Sequence, residues 1–395
     1  MSDKLEDLRE KVSQSIERKA RRLIALSHRI HGSPELGFQE FNAAKWLTAE
    51  LERAGFKVRR GAAGLETAFV ARLRSKSARP AVAFVAEYDA LAGLGHACGH
   101  NIIAACAVGA GLGLAAVIKQ LEGRAVVMGT PAEEGGGGKI VMLKKGLFRN
   151  LDVALMMHPS NMNFVGRKWL AVTGLKMIFH GKAAHAAASP EKGINALNAC
   201  IEAFNAINAL RQHLPEDVRI HGIITDGGQA ANIVPERAEA VFYVRTIEQD
   251  FLEPLMEKVS ECARGAALST GAKVKVEEMR LRYDARKTNE PLLALLRKNM
   301  KELGIRPDRL PERGGMGSSD FGNVTQALPA AHPCIAILPA RYAGHSRQFE
   351  RAAISPRGDR AVILGAKLLA LTAFDLITRP QLLDEVKRAY KSVAS

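Results

Sequence analysis

Thiol, imidazole and carboxylate side chains recur in the first half of the chain at spacings that suit a metal centre. One residue separates Cys98 from His100. Glu133 and Glu134 are adjacent, and His158 follows later in the chain. Cysteine sulfur, histidine nitrogen and carboxylate oxygen are donors that transition metals accept, and a cation would also remove the repulsion between adjacent carboxylates. The pattern therefore predicts a metal-activated water and a hydrolytic reaction.

The adjacent glutamates indicate a division of roles. One of them should bind the metal, and the other should take a proton from the attacking water and pass it to the leaving group. The residues alone leave open which glutamate has which role. A cysteine nucleophile, with Cys98 near His100, is an alternative, although the many carboxylates favour a metal.

The donors follow predicted strands of an alternating α/β pattern. Apolar periodicity predicts helices over 5–30 and 102–118, and nearly continuous apolar residues predict buried strands over 81–87, 124–129 and 152–157. In a parallel sheet with helices on both faces, the carboxyl ends of the strands lie at one edge, and open sheets have their functional residues at that edge. The helix over 102–118 is marginal in length for a bilayer and is interpreted as a buried helix.

From about Thr173 the pattern becomes that of a second, smaller domain. Its order is βαββαβ, the split ferredoxin-like unit, with predicted elements over 175–180, 195–214, 219–225, 238–246, 251–268 and 273–279. The sequence thus predicts an α/β fold. A mainly parallel-sheet metallohydrolase domain is expected over 1–172 and 285–395, with an inserted ferredoxin-like lid or dimerisation domain over 173–284.

The composition is that of a globular protein with a basic surface. The chain has 395 residues, of which 47% are hydrophobic and 25% charged, and a net charge of +15. The basic residues are dispersed without interleaved aromatics, which favours a solvated positive surface over nucleic-acid binding. The five scattered cysteines suggest no disulfide framework, and the charged N-terminal stretch lacks an apolar secretory segment. We therefore expect a cytoplasmic protein with no membrane partner.

The chain resembles the M20 metallopeptidase family, and within it the amidohydrolase branch that includes aminoacylases, auxin-conjugate hydrolases and aminobenzoyl-glutamate hydrolases. The motifs at 87–91 and 317–324 are similar to those of a dipeptidase-like subgroup that acts on β-alanyl-lysine-type dipeptides or aminobenzoyl-glutamate. The matching motifs run in family order over nearly the whole chain: HGSPELGFQE at 31–40, EYDAL at 87–91, HACGHN at 96–101, PAEE at 131–134, GKAAHA at 181–186, GG at 227–228, NIVP at 232–235, GSSDFGNV at 317–324 and GHS at 344–346.

The resemblance implies a hydrolase with two divalent metal ions, zinc or manganese. Glu133 would be the general base and acid, and Asp89 would orient a ligand. The implied metal ligands are Cys98, His100, Glu134, His158 and His345.

The resemblance also assigns roles to the inserted domain. His185 would reach the active site of a partner subunit and stabilise the oxyanion of the tetrahedral intermediate. Asn232 and Arg245 would line the same interface and contact the substrate, which implies a homodimer. Two departures bear on the substrate: Asn101 stands where most of the branch has Asp, and Ser319 stands where other branches carry a bulkier or acidic residue.

The predicted function is cleavage of the amide bond of a small N-acyl amino acid or dipeptide by a metal-activated water. A hydrolytic deaminase on the same scaffold would use the same water attack and release ammonia. A non-catalytic module that binds an anionic partner is a further alternative, motivated by the net charge of +15.

Overall fold

The computed structural model describes residues 3–75, 77–310 and 316–392. The chain divides into two compact units. The larger unit comprises the described parts of Met1–Arg167, Lys287–Gly315 and Asn323–Ser395. The smaller unit comprises Lys168–Arg286 and Met316–Gly322 and therefore lies between segments of the larger unit in the chain.

The larger unit begins with three helices and continues with alternating strands and helices. The helices are α1 (Asp3–Arg18), α2 (Ala20–His31) and α3 (Phe41–Arg53). The elements that follow are β1 (Lys57–Arg60), β2 (Phe69–Arg74), β3 (Ala81–Ala86), α4 (His100–Ala115), β4 (Arg124–Gly129), α5 (Gly138–Lys144), β5 (Val153–Leu155) and β6 (His158–Ser160).

The next elements form the smaller unit, and helices dominate the rest of the chain. The smaller unit contains β7 (Ala171–His180), α6 (Ala196–Leu210), β8 (Arg219–Asp226), β9 (Arg237–Thr246), α7 (Leu252–Thr270) and β10 (Lys273–Tyr283). The remaining elements are α8 (Glu290–Glu302), α9 (Phe321–Ala327), β11 (Ala330–Ala331), β12 (Cys334–Ala336), α10 (Arg347–Ala352), α11 (Pro356–Thr378) and α12 (Pro380–Ser392).

The core of the larger unit is a six-stranded sheet with the order β1-β2-β4-β3-β5-β11. The pairs β3 with β4, β3 with β5 and β5 with β11 are parallel, whereas β1 with β2 and β2 with β4 are antiparallel. Every residue of β3 is buried, as expected of a parallel strand covered on both faces. The loops after β3, β4 and β5 therefore leave from one edge of the sheet.

Helix α4 is the central helix of the larger unit. Its residues from His100 to Leu114 are all buried, and it contacts α1, α2, α11 and β3. The alanine- and glycine-rich sequence presents little side-chain bulk, so neighbouring elements approach it from several sides. The interpretation of this apolar run as a buried helix agrees with these contacts.

The smaller unit is a four-stranded antiparallel sheet with two helices. Its strand order is β10-β7-β9-β8, and all three pairings are antiparallel. Along β9, buried residues alternate with more exposed ones, as in a sheet with one covered face. Helices α6 and α7 contact this sheet and each other. The predicted α/β fold with an inserted ferredoxin-like βαββαβ unit is confirmed.

Several features of the larger unit differ from the predicted elements. The helix predicted over 5–30 is interrupted at Lys19, whose φ of −101° and ψ of 4° separate α1 from α2. The apolar periodicity continues across this break, so the pattern does not reveal it. Strands β1, β6 and β11 and helices α10 and α12 were not predicted.

Helix α11 is the one helix among the described residues that is long and apolar enough to cross a membrane. Within its most apolar stretch, 83% of the residues are buried inside the structure. It contacts α4, α1 and α8, which is the environment of a core helix.

Asp152 links the start of β3 to the end of the chain and yields a prediction about stability. Its carboxylate accepts the backbone N–H of Ala81 at 2.7 Å and a guanidinium N–H of Arg79 at 3.0 Å, and lies 2.6 Å from Lys387 Nζ. Burial raises the pKa of Asp152, but the bonds from Lys387 and Ala81 outweigh burial and lower the pKa below its usual value. The carboxylate thus adds stability at neutral pH, and this contribution is lost as the pH falls through the lowered pKa.

We expect Asp152→Asn to lower the free energy of unfolding by about 1–3 kcal/mol at pH 7. The difference from the parent should shrink as the pH falls below about 4, where the unfolded carboxyl is protonated. Thermal unfolding followed by circular dichroism at pH 7 and at pH 3.5 measures both effects. An equal difference at both pH values would contradict the assigned role.

Candidate metal centre

The predicted metal donors all lie in the larger unit, on loops or at the first residues of elements. Cys98 lies on the loop after β3, and His100 is the first residue of α4. Gly99, between them, has a φ of 76°, and a Cβ there would lie 2.5 Å from Pro159 Cγ. Only glycine fits this left-handed, crowded position without displacing its neighbours. The backbone therefore fixes the relative placement of the thiol and the imidazole.

The other donors come from three further segments. Glu133 and Glu134 lie on the loop between β4 and α5, and His158 is the first residue of β6. His345 lies on the loop between β12 and α10. Its backbone N–H donates to the carbonyl oxygen of Ala97 at 3.0 Å, which ties this distant loop to the Cys98 segment.

The structure brings these side chains together in three overlapping groups. Each group has one donor atom per residue, and these atoms lie within 4.8 Å of one another. The sulfur of Cys98 lies 3.5 Å from His158 Nε2, and Glu134 Oε1 lies 3.3 Å from His345 Nε2. Cys98 belongs to two of the groups, as a bridging ligand would. The groups are Cys98 with His100 and His158, Cys98 with Glu134 and His345, and His100 with Glu133 and Glu134.

Asp89 orients two of these residues. Nδ1 of His100 lies 2.9 Å from the carbonyl oxygen of Asp89 and 3.0 Å from its Oδ1. Because a carbonyl oxygen only accepts, Nδ1 carries the proton and Nε2 is the nitrogen left for a metal. The other carboxylate oxygen of Asp89 accepts the backbone N–H of Glu134 at 2.9 Å.

The charges in the cluster keep two of its carboxylates ionised. Burial raises the pKa of Asp89, but the charge of His100 and its hydrogen bond bring it down to about 2. Burial also raises the pKa of Glu134, whereas the hydrogen bond from His345 and the charge of His100 outweigh burial and lower it below its usual value. Glu133 lies in the same cluster, with Oε2 4.0 Å from His100 Nε2.

The donor set fits divalent cations. Nε2 of His100 is buried and makes no hydrogen bond with any described residue. Burial raises the pKa of the Cys98 thiol, so a nearby cation is needed to favour its thiolate. Sulfur, imidazole nitrogen and carboxylate oxygen together suit zinc, and the carboxylates also suit manganese.

One anchoring residue beside the cluster was missed by sequence reasoning. The carboxylate of Glu40 is fully buried, and it accepts the backbone N–H of Ala132 and the hydroxyl of Thr67, both at 2.8 Å. Ala132 has a φ of 58°, and Phe38, at 64°, lies beside the same loop. Glu40 thus holds a left-handed residue directly before Glu133. The 31–40 motif was the available signal, but it gave no role for this glutamate.

A buried ion pair beside the cluster was also missed. Nζ of Lys139 lies 2.6 Å from Oε1 of Glu87, and both side chains are at most 1% exposed. Glu87 directly follows β3, and Lys139 is the second residue of α5. A lysine at the start of a helix is usually solvated, so the sequence gave no sign of its burial.

The predicted substrate-contacting residues lie in the smaller unit. Nδ1 of His185 accepts the backbone N–H groups of Ala187 and Ala188 at 3.3 and 3.1 Å, which leaves Nε2 as the protonated nitrogen. The carbonyl oxygen of Asn232 accepts a backbone N–H from the residue after His185, so these two segments are adjacent. Arg245 donates to Ser318 Oγ at 3.2 Å. Their roles toward a substrate stay predictions.

Asn101, one of the two departures from the family pattern, has structural contacts. Its amide donates to Ser27 Oγ at 2.9 Å and to the carbonyl oxygen of Ala353 at 3.4 Å, and the side chain is fully buried. These bonds join α4 to α2 and to the segment after α10.

The fold and the donor cluster together define a metal-dependent hydrolase: an α/β sheet whose strand-end loops converge on sulfur, nitrogen and carboxylate donors. Residues 83–372 match the model of Peptidase family M20/M25/M40. The chain is 39% identical over 402 residues to the Xaa-Arg dipeptidase of Mus musculus, a match that covers 98% of this chain and 93% of the relative. The Xaa-Arg dipeptidase of Homo sapiens is 37% identical over 406 residues, with the same coverage.

Further matches agree with this assignment. One subunit of the p-aminobenzoyl-glutamate hydrolase from Escherichia coli is 35% identical over 283 residues, which is 66% of this chain and 58% of that protein. A dinuclear metal binding M20 peptidase from Bacillus subtilis has the same fold, with a TM-score of 0.73, 19% identity and coverage of 92% of this chain and 99% of that one. The aminobenzoyl-glutamate utilization protein of Klebsiella pneumoniae gives a TM-score of 0.70, 21% identity and coverage of 93% and 99%. The chain belongs to peptidase family M20/M25/M40.

The anchoring of Ala132 by Glu40 gives a prediction about activity. Glu40→Ala leaves the N–H of Ala132 and the hydroxyl of Thr67 without an acceptor, at a cost of about 1–3 kcal/mol for each buried group. We expect a lower melting temperature and a kcat at least about 10-fold lower, because the loop that carries Glu133 loses its anchor.

Glu40→Gln is the matched control. Its amide oxygen can accept from Ala132, and its amide N–H can donate to the hydroxyl oxygen of Thr67. This variant should keep most of the parental kcat and melting temperature. Parental kcat in Glu40→Ala, or equal losses in both variants, would contradict the anchoring role.

Proposed function

We propose that this hydrolase cleaves the amide bond of a dipeptide or small N-acyl amino acid, with Glu133 as the general base and acid. The observation that carries the proposal is the clustering of donor groups with a second glutamate at their side. Glu133 and Glu134 lie on one loop, and the carboxylate of each lies within about 4 Å of His100 Nε2. A ligand carboxylate beside a proton-transferring carboxylate is an arrangement that suits metal-assisted hydrolysis of an amide.

The first substrates to test follow from the relatives. The two Xaa-Arg dipeptidases match this chain over 98% of its length, which favours dipeptides with a C-terminal arginine. The aminobenzoyl-glutamate hydrolase matches over 66%, which makes aminobenzoyl-glutamate the second substrate to test.

We assign the metal ligands as Cys98, His100, Glu134, His158 and His345, holding two divalent cations, zinc or manganese. When bound, such cations polarise the substrate carbonyl and make a coordinated water more acidic. The protein's own contribution is orientation. Asp89 fixes the tautomer and direction of the His100 ring through Nδ1 and holds the backbone at Glu134.

Proton transfer is the role of Glu133 in this proposal. Its carboxylate takes a proton from the attacking water and returns it to the departing amine nitrogen as the carbon–nitrogen bond breaks. The oxyanion that forms in between needs a hydrogen-bond donor. We propose that His185 of the partner subunit supplies it, because Nδ1 of this histidine accepts backbone N–H groups, which leaves an N–H at Nε2.

Replacement of Glu133 by Gln tests the assigned base. We expect kcat on an Xaa-Arg dipeptide to fall by about 10²–10⁴-fold, because the amide cannot accept the proton. Metal content and melting temperature should stay at the parental values. Glu261→Gln, the same change at an exposed position of α7, is the control and should keep full activity.

Product analysis and metal removal test the wider proposal. The parent should lose activity on dialysis against a chelator, regain it with zinc or manganese, and release one free amino acid per cleaved bond. Release of ammonia without an amino acid would indicate a deaminase instead. Activity that resists the chelator and is lost on thiol alkylation would indicate a Cys98 nucleophile, and unchanged kcat in Glu133→Gln would refute the base assignment.

We further propose that the protein forms a homodimer through the smaller unit. Strand β8 is an edge strand of its sheet, and its neighbourhood exposes apolar side chains, with Ile223 at 66% and Tyr243 at 41% exposure. An unpaired edge with exposed apolar residues favours pairing with a second chain.

The dimer can be tested by light scattering coupled to size exclusion. We expect the parent to have twice the chain mass of 42.7 kDa, and Ile223→Lys to shift it toward the monomer. Ile354→Lys changes an exposed isoleucine of the larger unit in the same way and should leave the mass unchanged. A monomeric parent would refute the proposal.

A further inference from the structure

The buried ion pair of Glu87 and Lys139 has no part in the proposed reaction. Its two charged atoms are 2.6 Å apart, and the side chains are 1% and 0% exposed. Burying two charges is costly, and a hydrophobic pair of similar volume is often as stable. Stability of the fold alone therefore gives no reason for a charged pair here.

The location of the pair is set by the backbone. Lys139 follows Gly138, where a Cβ would lie 1.9 Å from the carbonyl oxygen of Pro131. The start of α5 is thus pressed against the loop that carries Glu133. Glu87 comes from the other side, directly after β3, two residues before Asp89.

The second carboxylate oxygen of Glu87 faces the metal donors. Its Oε2 lies 3.5 Å from Nε2 of His100, while Oε1 is the atom next to Lys139. Nε2 is the nitrogen that the Asp89 hydrogen bond leaves as a metal ligand. When His100 is neutral and carries its single proton on Nδ1, as a metal ligand does, Nε2 and Oε2 offer only lone pairs, so neither can satisfy the other. A cation bound to both would satisfy each of them.

Lys139 explains how this carboxylate can be buried without a metal. Removing one partner of a buried ion pair leaves the other charge uncompensated, which strongly destabilises the fold. With Lys139 on Oε1, Glu87 is neutralised and its carboxylate is held with Oε2 toward His100. The pair therefore adds an oxygen donor to the cluster but no net charge.

We propose that Glu87 is a further oxygen donor to the cation at His100 Nε2, and that Lys139 is its counter-charge in the metal-free protein. This inference rests on the metal site proposed above and adds a residue to it.

The affinity of the protein for zinc, measured by competition with a chromogenic chelator, tests the donor role. We expect Glu87→Gln to bind zinc about 10-fold more weakly or worse. The double variant Glu87→Gln/Lys139→Met leaves no unpaired charge, so it should regain the melting temperature lost in Glu87→Gln but keep the weak binding. Parental affinity in the double variant would overturn the donor role.

Asp152→Asn is the matched control, since it also replaces a buried carboxylate that is paired with cationic side chains. It should lower the melting temperature and leave zinc affinity unchanged. Zinc binding weakened equally by Asp152→Asn would mean that general destabilisation explains the effect, which would also overturn the donor role. A parent that binds no zinc or manganese would instead refute the proposed metal site itself.

Lys139→Met tests the counter-charge role without any measurement of activity. In the presence of EDTA its melting temperature should be below that of the parent, because the buried Glu87 then lacks its ammonium partner. Zinc should raise the melting temperature of Lys139→Met by more than it raises that of the parent, because the metal replaces the missing charge. An equal or smaller increase would overturn this role.

Discussion

The carboxylate of Asp89 is bonded to two segments that come from different parts of the chain. One oxygen accepts from the His100 imidazole at the start of α4, and the other accepts the backbone N–H of Glu134 after β4. A single ionised side chain thus sets the ring direction of one donor and the backbone position of another. The low pKa of Asp89, about 2, keeps both bonds in place across the physiological range.

The surroundings of the cluster show how buried carboxylates are made tolerable. Glu40 is satisfied by neutral donors, a backbone N–H and a hydroxyl, and burial raises its pKa. Glu87 forms an ion pair with the ammonium group of Lys139. Glu134 is stabilised by the charges of two histidines. Because each carboxylate depends on a different partner, changes to these residues are expected to have different effects on stability and on metal binding.

Much of the fold followed from the sequence. The buried strand over 124–129 was predicted with the observed bounds, because apolar residues in a short run between polar turns have few alternatives. The βαββαβ order of the smaller unit was also predicted, since each element has a clear period. Strand β1 was not predicted, because its four residues are Lys, Val, Arg and Arg, and a single apolar residue gives no alternating pattern.

The candidate site was predictable only in part. The residues at the strand ends indicated Cys98, His100, the two glutamates and His158, because topology brings such loops together. His345 came only from the family resemblance, since a histidine on a loop has no period to mark it. Glu87 and Lys139 escaped notice because their burial depends on a contact between segments distant in sequence, which no local pattern encodes.

Two residues on the loops that carry the metal donors have left-handed backbones although neither is glycine. Ala132 has a φ of 58°, and His345 has a φ of 55°. Such conformations cost about 1–3 kcal/mol each and persist only where the surroundings enforce them. The strained loops therefore lower the free energy of unfolding of the chain. Substitutions that relax these loops would raise the melting temperature but disturb the catalytic geometry.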